Sequence, residues 1–255
     1  MSRRPAVKDI IADIINFLFP RYCSVCGKRL LKSEKSVCID CLLELSAAEY
    51  ADGRQGNTLE RIFWLKMPIR RTAAFLIYDH ETSQRNIILH LKYHNRPKIG
   101  LHIAPIMVDR LNQTHFFDSI DVIVPIPISR KRRIHRGYNQ SEQIAKGISL
   151  HTGIPLDTHS VRRRHYRKSQ TKLSLLQRQK NVEDTFVLSK NHTLRNKHIL
   201  IIDDVITTTA TIRSCAAVLA DIEGLSISVL SLAVSKNLLR NVKSTNPHCN
   251  PDEDV

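Results

Sequence analysis

The stretch His198 to Arg213, H-I-L-I-I-D-D-V-I-T-T-T-A-T-I-R, constrains the fold more than any other part of this chain. Four consecutive apolar residues, Ile199 to Ile202, run straight into the adjacent acids Asp203 and Asp204. Such an unbroken apolar run suits a parallel strand buried on both faces. A hydroxyl-rich turn follows, after which Ile212, Ala216, Ala217, Leu219 and Ala220 recur at helical spacing. Strand, turn and helix in this order predict an α/β fold. They put the turn at the carboxyl end of the sheet, where open α/β proteins bind ligands.

The residue types in the turn point to a two-part ligand. Backbone N–H groups at a helix start, surrounded by the hydroxyls of Thr207, Thr208, Thr209 and Thr211, suit a phosphate. Asp203 and Asp204 cannot serve that phosphate, because like charges repel. They can accept hydrogen bonds from vicinal sugar hydroxyls or hold a hard cation such as Mg²⁺. A ligand with a phosphate at one end and a ribose diol beside it satisfies both halves. The structural alternative is a buried strand followed by a helix cap with spare acids.

Charge fits such a ligand. The 255 residues contain 39 Lys and Arg against 24 Asp and Glu, a formal net charge of +15, and such a field attracts polyanions. Phosphorylated metabolites and nucleic acid are both compatible with it. The basic residues concentrate in two runs, Arg130 to Arg136 and Arg162 to Lys168, as expected of a site. No stretch has the apolar length needed to span a bilayer. Residues 1–20 read as an amphipathic helix, with Val7, Ile10, Ile11, Ile14, Ile15 and Leu18 on one face, that docks on protein. Asp9 and Asp13 interrupt any likeness to a signal peptide, so a cytoplasmic location is expected.

Residues 21–45 form a cysteine module. Cys23, Cys26, Cys38 and Cys41 give C-x2-C-x11-C-x2-C, which can present four thiolates to one structural Zn²⁺. Two disulfides compete with that reading but suit a secreted protein better. Residues 46–70 read as a linker, 71–236 as the main domain, and 237–255 as a disordered tail.

Within the main domain, Arg71 to Tyr78, Asp121 to Ile128, Thr185 to Leu188 and Ser226 to Val234 read as strands. Helices are expected over 82–94, 99–111 and 141–149. Pro125 and Pro127 end the second strand, since proline lacks the ladder donor. The basic segment that follows, with Ser129, Arg130 and Lys131, is a candidate pyrophosphate socket. Residues 162–181 begin as an arginine-rich loop containing Arg167 and Lys168. Such a loop can close over a phosphorylated sugar, or grip single-stranded nucleic acid through charge and stacking.

Residues 201–211, I-I-D-D-V-I-T-T-T-A-T, resemble the phosphoribosyl pyrophosphate (PRPP) motif of type I phosphoribosyltransferases, departing from it at Thr209, where that family has glycine. From Phe19 to Lys236 the chain also resembles the ComF family, associated with bacterial competence and DNA uptake. The resemblance is carried by the four cysteines, Leu91 to Tyr93 (L-K-Y), Lys131 to Gln140 (K-R-x4-G-Y-N-Q), Ser169 to Val182 and Asp203 to Thr208. It implies a type I phosphoribosyltransferase fold, a twisted parallel sheet with helices on both faces, joined to a small zinc-binding module. On that basis Asp203 and Asp204 are the expected catalytic pair, with Mg²⁺, and Val205, Ile206, Thr207, Thr208, Thr209, Ala210 and Thr211 would bind the 5′-phosphate of PRPP. The outcome would be phosphoribosyl transfer or PRPP sensing. The alternative is a non-catalytic PRPP-binding module that contacts single-stranded DNA or proteins of DNA uptake.

Overall fold

A computed structural model describes residues 15, 17–44, 51–64, 69–164 and 186–245. Its centre is β5, His198–Ile206, hydrogen-bonded in parallel to β6, Ser226–Ser235, and to β2, Val122–Pro125. Strand β1, Arg71–Tyr78, flanks β6, giving the all-parallel order β1-β6-β5-β2. Ile199, Leu200, Ile201 and Ile202 are each 0 % exposed, as a strand covered on both faces requires.

Alternation along β5 divides the core. Leu200 and Ile202 join the cluster built on α3 (Arg85–Tyr93), α4 (Lys98–Asn112) and α6 (Gln140–Thr152). Ile199 and Ile201 join the other, with residues of α2 (Thr58–Trp64), α7 (Ala210–Ala217) and α8 (Lys236–Thr245). The expected α/β architecture, a parallel sheet with helices on both faces, is what the chain forms. Among the described residues, no helix is long and apolar enough to cross a membrane.

The cysteine module, with its short helix α1 (Ile39–Leu43), lies against the first face. Asn86 Nδ2 donates to the Val25 carbonyl at 3.0 Å and Gln84 Nε2 to the Glu44 carbonyl at 3.1 Å. Ser36 Oγ and His102 Nδ1 lie 2.6 Å apart. The module therefore rests on α3 and α4.

Several segments depart from expectation. The supposed linker contains α2, whose Leu59, Ile62 and Phe63 are buried, because its apolar residues recur at helical spacing and cover the sheet. The supposed tail begins with α8, anchored by buried Leu239. The basic segment after β2 is itself a helix, α5 (Arg130–Arg136), capped by Ser129 Oγ accepting from the Arg132 N–H. Arg162 and Arg163 belong to β3 (Val161–Arg163), paired antiparallel with β4 (Phe186–Leu188), and not to a loop. Arg167, Lys168 and the Ser169 to Val182 motif lie outside the described residues. So do most of residues 1–20, expected to be a helix; of those described, Ile15, Phe17, Leu18 and Phe19 are exposed and no described part of this chain covers them.

Helices α4 and α6 pack closely through small residues. A Cβ added at Gly147 would lie 2.5 Å from Ala104 Cβ and 3.0 Å from Leu101 Cα. Gly147→Ala should therefore force the helices apart and lower the unfolding free energy by about 1–3 kcal/mol, read as a lower urea midpoint at unchanged slope.

Candidate functional site

Asp203 and Asp204 sit towards the carboxyl end of β5, where charge interrupts the apolar run. Asp203 Oδ1 accepts from the Asp204 N–H at 2.8 Å and from Ser141 Oγ at 3.4 Å. Asp204 Oδ1 accepts from the Val205 N–H at 2.7 Å, and its Oδ2 lies 3.2 Å from Lys92 Nζ on α3. That ion pair is largely shielded, with the two side chains 21 % and 14 % exposed. Burial, and then the charge of Asp204, push the Asp203 carboxyl up to about 7.

The strand does not stop at the acids. Val205 and Ile206 continue it, pairing with Ala233 and Val234, and both side chains are buried. Any contact of these two positions with a phosphate would therefore be through the backbone. The turn proper is Thr207, Thr208 and Thr209, leading into α7 with Ala210 and Thr211 in its first turn. Thr207, Thr208 and Thr211 are exposed, whereas Thr209 is buried at φ −76°. This φ is open to any residue, so a threonine replaces the usual glycine without backbone strain.

The G-Y-N-Q-S segment ties the surrounding ends together. Gly137 takes φ 77° to end α5. Tyr138 Oη donates to the Leu91 carbonyl at 2.5 Å, fixing the helix end that carries Lys92. Asn139 Nδ2 donates to the Ile126 carbonyl at 3.0 Å, where the chain leaves β2, and Ser141 reaches Asp203. Pro125 is paired with Ile202, so Ser129, Arg130 and Lys131 emerge next to the acid pair's strand. Arg130 and Lys131 are exposed, with their charge facing solvent. Burial and the charge of Arg132 pull the Arg163 guanidinium down, while Asp203 supports its charge.

Lys92 and Ser141 contact the acid pair and were not singled out by residue-by-residue reading. Lys92 stood within the L-K-Y motif, and Ser141 follows G-Y-N-Q directly. Nothing local marks either as a partner of an aspartate more than 60 positions away.

The second candidate centre is the cysteine cluster. The four Sγ atoms of Cys23, Cys26, Cys38 and Cys41 lie within 4.8 Å of one another, and the described cysteines are free. Four thiols so placed can hold one metal ion. Burial opposes ionisation of Cys23, but N–H donors from Cys26, Cys38 and Val25 outweigh it and hold its thiol at about 7. Burial and the neighbouring thiols push Cys41 well up. A cation among them would relieve that crowding. The His90 and His94 rings meet at a tilt of 45°, 4.6 Å between centroids, and His102 belongs to the module's anchor.

The raised Asp203 pKa carries a sign. The ordinary value is 3.8, so between about pH 4 and 7 the folded chain binds a proton that the unfolded chain has released. The favourable contribution is complete below pH 4 and lost as pH rises through 7. Asp203→Asn removes the titration, so its stability relative to the wild type should rise across this range, by on the order of 2–4 kcal/mol at pH 8. Urea unfolding at pH 4.5 and pH 8 measures the difference.

No family model matches the chain. It is 26 % identical over 200 residues to the DNA utilization protein YhgH of Escherichia coli (strain K12), covering 77 % of this chain and 83 % of that protein. It is 28 % identical over 218 residues to Competence protein F of Haemophilus influenzae, covering 83 % and 89 %, and 30 % identical over 116 residues to Competence protein ComFC of Bacillus subtilis, covering 46 % and 45 %. Among solved structures, it resembles adenine phosphoribosyltransferase from Leishmania tarentolae with TM-score 0.36 and 14 % identity, over 84 % of this chain and 94 % of that one. It resembles the glutamine PRPP amidotransferase from B. subtilis with TM-score 0.38 and 16 % identity, over 55 % of this chain and only 30 % of that enzyme. The curated likenesses, two of them running over most of the chain, together with the four-cysteine module and the D-D-V-I-T-T strand end, support a ComF family protein.

Proposed function

We propose that the carboxyl edge of the sheet binds PRPP and that the chain transfers or senses its phosphoribosyl group. One observation carries the reading: a shielded acid pair and an exposed threonine turn follow each other along one strand end, beside the basic exit of β2. Asp203 and Asp204 would accept from the ribose hydroxyls. Thr207, Thr208 and Thr211, with the N–H groups that open α7, would hold the 5′-phosphate. Ser129, Arg130 and Lys131 would meet the pyrophosphate through their side chains and support its departing charge. Loss of pyrophosphate from C1 leaves an oxocarbenium-like centre, and the neighbouring carboxylates suit that positive charge.

The acids fit Mg²⁺ in part. Lys92 already engages Asp204, whereas Asp203 Oδ2 has no described hydrogen-bond partner and is the oxygen left to meet the ion alongside PRPP's own oxygens. Bound there, Mg²⁺ would neutralise pyrophosphate charge. No side chain described at this edge is placed as a general base for an acceptor, which keeps sensing beside transfer. The relatives named for competence and DNA utilization support a role in handling incoming DNA. A second reading, single-stranded DNA binding on the same scaffold, is favoured by the net charge of +15 and by α5, none of whose residues is buried.

Calorimetric titration with PRPP should show saturable binding, weakened at least tenfold in Asp204→Asn; a flat wild-type titration overturns the reading. Pyrophosphate release in the presence of a nucleobase panel marks transfer, and binding without release marks sensing. Oligonucleotide affinity that falls steeply with salt and is untouched by Asp204→Asn would mark the DNA reading.

The cysteine module is proposed to hold one structural Zn²⁺, with a cytoplasmic location in keeping with free thiols. Metal analysis should find one zinc per chain. Cys38→Ala should lose it and lower the melting temperature, because the freed module uncovers α3 and α4.

A further inference from the structure

The opposite end of the strands holds a second polar basin. A cavity of about 590 Å³ opens among Arg54, Arg70, Arg71, His115, Asp118 and Ser119. It lies where β1 starts at Arg71 and β5 starts at His198, roughly 16 Å along β5 from Asp203 at the usual rise per strand residue. The basin is therefore separate from the edge assigned to PRPP, and its role is independent of that assignment.

Its charges are unevenly matched. Arg54 pairs with Asp52 at 3.3 Å, and His115 with Asp118 at 2.9 Å. Arg70 and Arg71 form no ion pair among the described residues. The half-buried Arg71 guanidinium donates to the carbonyls of His115 at 2.7 Å and Thr114 at 2.8 Å and to that of Gly53, and lies over the Phe116 ring. Its Nε is buried and has no partner. Carbonyls satisfy hydrogen bonds without cancelling a charge. The nearby buried acid, Glu60, is a poor counter-ion because burial pushes its carboxyl up. Burial works against the charge on Arg71; Glu60, Asp118 and Asp52 offset this in part, and the adjacent Arg70 adds to it. Beneath the basin, burial and then Arg70 hold His198 down, although its ring is held between Ser119 Oγ and Ser228 Oγ. A half-buried guanidinium with no carboxylate in ion-pair contact is incompletely answered, and an oxyanion beside it supplies both charge and acceptors.

We propose that this basin is an anion site for a phosphoryl group. Arg70, whose side chain is exposed and forms no described contact, makes the direct contact, and Arg71 supplies the field from behind it. Thr114 and Ser119 line the same wall. The phosphoryl group belongs either to a small phosphorylated molecule or to a nucleic-acid backbone, and the chemistry recognised is the same.

His115, on the rim, is the local reporter. Its ring resonances, assigned with His115→Gln, are followed by NMR while the full chain is titrated with inorganic pyrophosphate. A saturable shift is expected in the wild type and equally in Asp204→Asn. Arg70→Ala should weaken it at least tenfold, with partial recovery in Arg70→Lys. Repeating the titration with a short oligothymidylate separates the sources. Tighter binding per phosphate by the oligonucleotide assigns the site to a backbone, and the reverse assigns it to a small molecule. A His115 resonance that stays put, or an Arg70→Ala titration matching the wild type, overturns the proposal.

Discussion

Two carboxylates side by side on a strand buried on both faces cannot both keep a full, unanswered charge. The surroundings of Asp203 and Asp204 follow from that constraint. Asp204 is answered by the ammonium of Lys92. Asp203 is answered by backbone, by Ser141 and by a strongly raised affinity for its proton. The apolar residues on either side of the acids make this costly and also make it stable. Ile199 to Ile202 and then Val205 and Ile206 lock the strand into the sheet, so the acids cannot swing away. A chain with +15 formal charge thus keeps a small, rigid acidic spot at the one sheet edge where its basic helix also emerges.

The segment from Gly137 to Ser141 holds that edge in shape. Its members touch the end of α3, the exit of β2 and the tip of β5, three parts of the chain that are remote in sequence. Buried polar contacts of this kind fix geometry because each is expensive to leave unmade. Lys92 is consequently positioned by the bond from Tyr138 to its neighbour Leu91, and not by its own flexible stem.

Polar groups are treated differently at the two ends of the sheet. At the carboxyl end, positive and negative groups meet within ion-pair distance. At the amino end Arg54 and His115 have acidic partners, whereas Arg71 spends its donors on carbonyls and forms no ion pair among the described residues. The cysteine module stands apart from both, seated on α3 and α4 by hydrogen bonds and by the apolar residues around its thiols.

The apolar run of β5, the proline stop of β2 and the C-x2-C pairs were legible in the sequence because each rests on local chemistry: side-chain period, a missing donor, thiol spacing. Those signals predicted the α/β layering, the acid pair at a strand end and the four-thiol cluster. They misplaced α2 and α8, since short helices among polar residues reveal their buried face only when a sheet is there to cover. Only the tertiary structure decided that Thr209 sits at an ordinary φ, that Lys92 pairs with Asp204, and that Arg71 spends its donors on carbonyls and forms no ion pair among the described residues. Each of these depends on which remote groups the packed chain brings within a few ångströms, and a linear order of residues does not contain that distance.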